Sequence, residues 1–267
     1  MKRILFISLL AVGFFMSCES TKVEYEVISK YYVPLVDKSV LPNEIVENIP
    51  NDPLIKRRFL AQPTWGEFSK DIDFEVTQRC AKNKYRIIGT GFWESNWGNE
   101  IVMSMIKKSV LADLKRFCIE SGGYEMYCEQ GFHYTGGHTT QVLNGGDRTY
   151  LATSADRNQT FTYYIIAPYS EIEINNWHLG LQVRDIGETE RSAFKTNIGV
   201  VVLVPFENFP VFDASIFPKD VILEINGVKI HNMAEFTQIE EALQSGSSVM
   251  VTYLRDGINQ TVEMIAK

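Results

Sequence analysis

Five residues about two thirds of the way along the chain combine a tight apolar turn with the start of a strand. The run is Leu179-Gly180-Leu181-Gln182-Val183, and it follows Trp177 and His178. Because Gly180 lacks a Cβ, such a loop can turn successive backbone N–H groups toward one point and hold a carboxylate. The alternating residues that follow predict a strand that can accept an extended peptide as an additional strand. The pattern therefore indicates a peptide-binding site.

No catalytic motif accompanies this loop. The sequence contains no Gly-x-Ser-x-Gly, no His-Glu-x-x-His and no Asp-Thr/Ser-Gly. The runs Gly136-Gly137-His138 and Gly145-Gly146-Asp147 are more typical of turns, and His133 lies in a predicted strand. We therefore predict no catalytic residue, no cofactor and no metal ion. An active site between residues 71 and 167 that lacks a recognisable motif is the alternative.

The first 17 residues have the pattern of a secretory signal. Lys2 and Arg3 precede an apolar run, Ile4–Met16, that is too short to span a bilayer comfortably. The run Phe15-Met16-Ser17-Cys18 resembles a bacterial lipobox, in which the cysteine carries the lipid anchor and becomes the mature N-terminus. An ordinary signal peptide with an incidental cysteine is the alternative. The resemblance implies a lipoprotein of the bacterial cell envelope that is attached to the membrane at Cys18.

Three cysteines follow in what would be an oxidising compartment. Cys118 and Cys128 are close in sequence and can close a small loop, so we predict a possible disulfide between them. Cys80 is then the odd thiol. With four scattered histidines, the three cysteines show no metal-ligand spacing.

The composition is that of a folded acidic protein with room for two domains. The chain has 267 residues, of which 45% are hydrophobic, and a formal charge of −7. Without Lys2 and Arg3, 24 basic side chains face 33 acidic ones, which gives a charge of −9. This charge argues against a nucleic-acid partner.

The first part of the mature chain predicts a tether and then an α/β domain at residues 54–170. Residues 18–53 contain four prolines and indicate an extended tether with one short strand, or a partly ordered arm. Beyond the tether, periodicity predicts a helix over 71–82, a strand over 85–93, a long helix ending near Ser121 and then further strands. The segment Lys84–Phe92 loosely resembles a strand of small bacterial lipoprotein domains, and this resemblance implies no function.

The chain from Trp177 onward consists of short strands separated by Gly, Pro and Asn-Gly. The buried strand Gly199–Val204 is followed by the block Phe212–Ile230, and then by a predicted helix, Met233–Gln244, and a closing hairpin through Asp256-Gly257. The order resembles the PDZ domain of bacterial HtrA-type proteases. The residues that match the family's Ala-x-x-Ala-Gly-Leu-x-x-Gly-Asp-x-Ile-x-x-Ile-Asn-Gly block are Ala214, Asp220, Ile222, Ile225, Asn226 and Gly227.

Two departures from the family pattern lie outside the expected groove. Lys219 stands where the family usually has the glycine before the aspartate, and Phe209-Pro210 enlarge the loop before Ala214. The resemblance covers about 90 residues, an ordinary domain size. It implies that residues 171–267 form a PDZ-like β-barrel or sandwich with a groove helix. The order of the elements before it predicts one long helix packed on a small sheet, so we predict an α+β protein.

The resemblance also implies where a ligand lies. The groove lies between the Gln182-Val183 strand and the helix, and the backbone N–H groups of residues 179–181 point at a ligand carboxylate. The side chains that we expect to form an apolar pocket around the ligand are those of Leu179, Leu181, Val183, Phe236, Ile239 and Leu243, with Gly180 in the loop. The alternative is that these side chains belong to the core.

These observations together indicate a lipid-anchored envelope protein that binds a protein or peptide, possibly by its C-terminus, as an adaptor or scaffold. An envelope hydrolase or protease with its active site in residues 71–167 is the alternative. A third possibility is a structural domain whose groove is filled by the protein's own tether.

Overall fold

The computed structural model describes residues 28–59, 72–96, 111–145 and 148–267, and the side chains of 58–59, 94–96, 130–145 and 148–159 are not among the features described. The predicted signal sequence and Cys18 therefore lie outside the described residues. Within these ranges the chain has helices and two sheets, which confirms the predicted α+β class. In the same ranges no helix is both long and apolar enough to cross a membrane.

Internal contacts divide the chain into two compact units that interleave along the sequence. The first unit contains residues 1–38, 49–72 and 88–165, and the second contains residues 39–48, 73–87 and 166–267. Two segments that precede the predicted C-terminal domain in sequence, 39–48 and 73–87, therefore belong to the same unit as that domain.

The first unit is organised around a sheet whose described strands are in the order β1-β3-β5-β4-β2. The elements up to residue 168 are β1 (Tyr32–Pro34), α1 (Asn43–Glu47), β2 (Leu54–Phe59), α2 (Ile72–Asn83), β3 (Tyr85–Asn96), α3 (Leu111–Glu120), β4 (Glu125–Gly145) and β5 (Arg148–Pro168). Of these, α1 and most of α2 belong to the second unit. Helix α3 contacts β2 and β4, because Leu114, Phe117 and Cys118 form its buried face.

Several predictions for this part of the chain can be compared with the elements. The predicted helix over 71–82 matches α2, and α3 is the described part of the predicted long helix. The predicted turn at Gly136-Gly137 is wrong, because β4 continues through it. Strand β4 lies beside β5 in the sheet, and strand pairing outweighs the local preference of two glycines for a turn.

The described part of the segment that could be a tether or an ordered arm, residues 28–53, is folded. Strand β1 pairs antiparallel with β3, and Ile28, Leu41 and Ile45 are buried. The expected disulfide is not formed. Cys118 and Cys128 are free, buried thiols. Burial raises the pKa of the Cys118 thiol to about 12 and raises that of Cys128 as well. Both behave as small apolar core side chains.

The second unit is built on a sheet in the order β11-β10-β8-β7-β6, with β9 paired to β8. Its further elements are α4 (Glu171–Asn175), β6 (Leu181–Asp185), α5 (Glu188–Phe194), β7 (Val200–Pro205), α6 (Pro210–Asp213), β8 (Val221–Ile225), β9 (Val228–Lys229), α7 (Met233–Glu241), β10 (Ser248–Arg255) and β11 (Ile258–Ile265). One apolar core lies under the sheet and takes side chains from β6, β7, β8, α7 and β10.

Two hairpins in this unit are formed at the predicted turns. Asn226-Gly227 joins β8 to β9, and Asp256-Gly257 joins β10 to β11. All four turn residues have positive φ, between 51° and 78°. A two-residue turn of this kind matches the twist of the strands and requires positive φ at both positions, which explains the Asn-Gly and Asp-Gly pairs.

Candidate functional site

The loop at residues 178–181 leads directly into β6, an outer strand of the sheet. Gly180 has φ +81°, a backbone conformation that side chains with a Cβ rarely adopt. The carbonyl groups of Leu179 and Gly180 accept hydrogen bonds from α6 and from the segment before it. Gly180 O accepts from Phe206 N at 2.9 Å, and Leu179 O accepts from Val211 N at 3.4 Å.

Phe209 covers the loop from behind. A Cβ built on Gly180 would lie 2.2 Å from Cγ of the Phe209 ring. Phe209 is buried, and its ring centroid lies 5.5 Å from that of Trp177. The segment enlarged by Phe209-Pro210 therefore packs directly against the loop at residues 178–181. A glycine is required at position 180 both for the positive φ and for this close approach.

The N–H groups of the loop are bound by a carboxylate from the same protein. Glu240 of α7 accepts through Oε1 from Leu179 N at 3.1 Å and from Gly180 N at 3.3 Å. Its side chain is buried, and the residue is only 7% exposed. Desolvation raises the pKa of Glu240, while hydrogen bonds from the backbone of Leu179, Gly180 and His178 act in the opposite direction. Two N–H groups of the loop thus hold a carboxylate, and that carboxylate belongs to the protein itself.

The predicted pocket side chains are brought together, and they are largely buried. Leu179, Leu181, Val183 and Phe236 are each less than 9% exposed and share one core. Ile239 and Leu243 are partly buried against the same core. Leu243 follows the end of α7, which stops at Glu241 rather than at the predicted Gln244. Four of these side chains therefore belong to the core, as the alternative interpretation held, and Ile239 and Leu243 are the more accessible ones.

Strand β6 and helix α7, the two elements predicted to line the groove, are in contact. They are also connected at one end, because Asp185 Oδ1 accepts from Met233 N, the first N–H of α7, at 2.6 Å. Asn232 caps the same helix by accepting from Glu235 N at 2.9 Å. These bonds satisfy N–H groups that a helix terminus leaves without an intrahelical partner.

The sequence did not predict that the side chain of Gln182 holds β6 in place. The side-chain amide of Gln182 is buried, accepts from Ile87 N at 2.9 Å and donates to Ile87 O at 2.8 Å. These two bonds fix the face of β6 that carries Gln182 to the backbone of Ile87. Its partner is 95 residues away, so no local signal could have identified this contact.

Asp220, one of the residues matched to the family block, has a structural role. It is 3% exposed, accepts from Phe217 N at 2.8 Å and binds Arg255 through both carboxylate oxygens at 2.8 and 2.6 Å. Hydrogen bonding to Asp220 raises the pKa of Arg255. Lys219 has φ +77°, which explains why the family usually places glycine there.

A cavity of about 550 Å³ lies between the loop before α6 and the end of the chain. Its lining includes Phe209, Asp213, Met264 and Lys267. In the described part of the chain, no three His, Cys, Asp or Glu side chains are grouped to hold a metal ion. The side chains of His133 and His138 and the position of Asp147 lie outside the described features.

Comparison with known proteins assigns this part of the chain. Residues 178–265 match the family described as PDZ domain. The match contains the loop, β6, α7 and both hairpins. Residues 178–265 form a PDZ domain. It is homologous to the PDZ domains of HtrA- and DegP-type proteins.

Two relatives are both described as probable periplasmic serine endoprotease DegP-like. The protein from Hahella chejuensis is 34% identical and that from Pseudomonas fluorescens 32% identical, each over 90 residues. The matches cover 34% of this chain and 19% of each relative. The chain thus spans about a fifth of the length of these relatives.

Solved structures of PDZ-containing proteins are also similar. The HtrA3 PDZ domain bound to a phage-derived ligand, FGRWV, is 16% identical, with 34% of this chain and 85% of that chain covered and a TM-score of 0.30. The HtrA-type protease AlgW with a decapeptide is 12% identical, with 48% and 41% covered and a TM-score of 0.31.

Proposed function

We propose that this protein binds extended protein or peptide segments through the β6–α7 groove of its PDZ domain. The observation that carries the proposal is the position of β6, an outer strand of its sheet that contacts α7. An outer strand can accept a further strand by backbone hydrogen bonds, and an adjoining helix provides side-chain contacts. Ile239 and Leu243, which are only partly buried, supply apolar surface there, and the buried Leu181 and Val183 lie beneath it.

We further propose that the protein acts in the bacterial cell envelope as a lipid-anchored adaptor or scaffold. The relatives are named as probable periplasmic proteins, and Lys2–Cys18 has the pattern of a lipoprotein signal. The negative charge of the chain is consistent with a protein partner rather than a nucleic acid. No observation favours the alternative of a hydrolase or protease in residues 71–167, and much of that range lies outside the described side chains.

A peptide-display selection on the full chain tests the binding proposal. We expect peptides to be enriched and to bind with a dissociation constant of about 1 μM. Ile239→Lys places a charge at the partly buried wall of the groove and should weaken binding of the selected peptide about 10-fold or more. Gln238→Lys is the matched control, because Gln238 is exposed on the same helix.

Failure to enrich any peptide would contradict the proposal. Equal binding by the wild type and by a folded Ile239→Lys variant would contradict the assignment of the groove. Thermal melting of both lysine variants verifies that they are folded.

A further inference from the structure

The carboxylate of Glu240 bears on which ligands the groove can take, and this inference rests on the proposed peptide binding. Leu179 N and Gly180 N both donate to one oxygen of Glu240, at 3.1 and 3.3 Å. These are two of the three N–H groups that were expected to receive the C-terminal carboxylate of a ligand. In this structure they are already satisfied from inside the domain.

A ligand carboxylate would have to displace Glu240 or share the loop with it. Displacement leaves a buried carboxylate without its two backbone donors, and such a group is costly to keep charged. Sharing places two negative charges at one site, which disfavours the charged form of both groups. Because Glu240 is held in the same domain, it competes as an intramolecular ligand at high effective concentration.

The loop also has little freedom to rearrange around a second carboxylate. Its carbonyl groups are bound by Phe206 N and Val211 N, and Phe209 lies directly against Gly180. Both faces of the loop are therefore occupied by the protein. Binding of a ligand along the edge of β6 does not require a chain end, because strand pairing uses backbone groups that every residue except proline carries.

We propose that Glu240 is a specificity-determining residue that makes the groove select internal extended segments of a protein chain over free C-termini. The ligand class is an extended segment that presents no carboxylate at the loop. Glu240 acts by accepting from Leu179 N and Gly180 N, which would otherwise bind and stabilise a C-terminal carboxylate.

Two displayed libraries of random peptides test this on the full chain. In one library the peptide ends in a free C-terminus, and in the other the same random segment is followed by further protein. We expect the wild type to enrich peptides from the internal library only. Synthetic versions of a selected peptide, as the C-terminal acid and as the amide, should then differ about 10-fold in affinity, with the amide binding more tightly.

Substitutions at Glu240 should change this preference in steps. Glu240→Gln removes the charge but keeps an acceptor for the loop, and it should bring the affinities of the acid and the amide close together. Glu240→Ala vacates the loop and should reverse the preference. Glu241→Gln removes a charge from an exposed neighbour on α7 and should leave the preference of the wild type unchanged.

The outcomes separate this inference from the function on which it rests. If the wild type enriches free C-termini and loses affinity when they are amidated, the inference is overturned while peptide binding stands. If neither library yields a binder to the wild type or to a folded Glu240→Gln variant, the proposed function fails, and the inference fails with it. If Glu240→Ala does not fold, the change between the wild type and Glu240→Gln decides the matter.

Discussion

Gly180 and Glu240 show how a few residues fix the properties of the loop. The glycine has φ +81°, and Phe209 occupies the space where a side chain would lie. On the opposite side, Glu240 receives the N–H groups of residues 179 and 180. The loop is thus held from both sides by residues of the same domain, and its backbone conformation depends on having no Cβ at position 180.

Replacing Gly180 with alanine should destabilise the protein strongly. The left-handed conformation costs a residue with a Cβ about 1–2 kcal/mol, and overpacking against Phe209 adds about 1–3 kcal/mol. The free energy of unfolding, measured by urea denaturation, should fall by the sum. Gly246→Ala is the control: Gly246 has φ +80° and no atom near its missing Cβ, so only the conformational cost applies. Equal losses for the two variants would contradict the close contact with Phe209.

At the scale of elements, β6 and α7 act as a connected pair. Asp185 at the end of β6 binds the first N–H of α7, and Glu240 in the last turn of α7 binds the loop that begins β6. The two walls of the groove are therefore joined near both ends. Gln182 holds the remaining face of β6 through Ile87. A ligand would meet a strand and a helix whose separation is already set.

Removing the hydrogen bond between Asp185 and Met233 N should lower the free energy of unfolding measurably. Asp185→Ala leaves Met233 N without its partner and removes a negative charge from the N-terminus of α7, at a cost of about 1–2 kcal/mol. Asp185→Asn keeps an acceptor oxygen and should lose less. Urea denaturation measures both costs, and amide exchange at Met233 should quicken in the alanine variant. A stability unchanged by Asp185→Ala would show that the bond contributes nothing.

The elements of the PDZ domain could be predicted because their signals are local. Asn226-Gly227 and Asp256-Gly257 specify two-residue hairpins by their own backbone preferences, and alternating apolar residues specify the strands. The occupation of the loop by Glu240 could not be predicted, because the partners are 60 and 61 residues apart and meet only after α7 packs. The packing of Phe209 against Gly180 could not be predicted for the same reason, although the sequence did show that Phe209-Pro210 enlarge the loop before Ala214.

At the scale of the whole molecule, the second unit takes segments from three parts of the chain. Residues 39–48 and 73–87 join the segment that contains the PDZ domain. Ile87 in the second of these segments binds Gln182 of β6. The PDZ domain therefore carries additions from earlier in the chain, and sequence periodicity alone assigns those additions to a tether and to a separate domain. Experiments on the groove accordingly use the full chain.

Hydrogen exchange with and without a selected peptide tests the central claim most directly. Apart from the two-residue strand β9, the sheet of the PDZ domain ends in two outer strands, β6 and β11, and a ligand strand can pair with either. We expect the bound peptide to slow exchange of the backbone amides in Leu181–Asp185 and to leave those in Ile258–Ile265 unchanged. Protection along β11 instead, or binding without slower exchange in β6, would contradict this expectation.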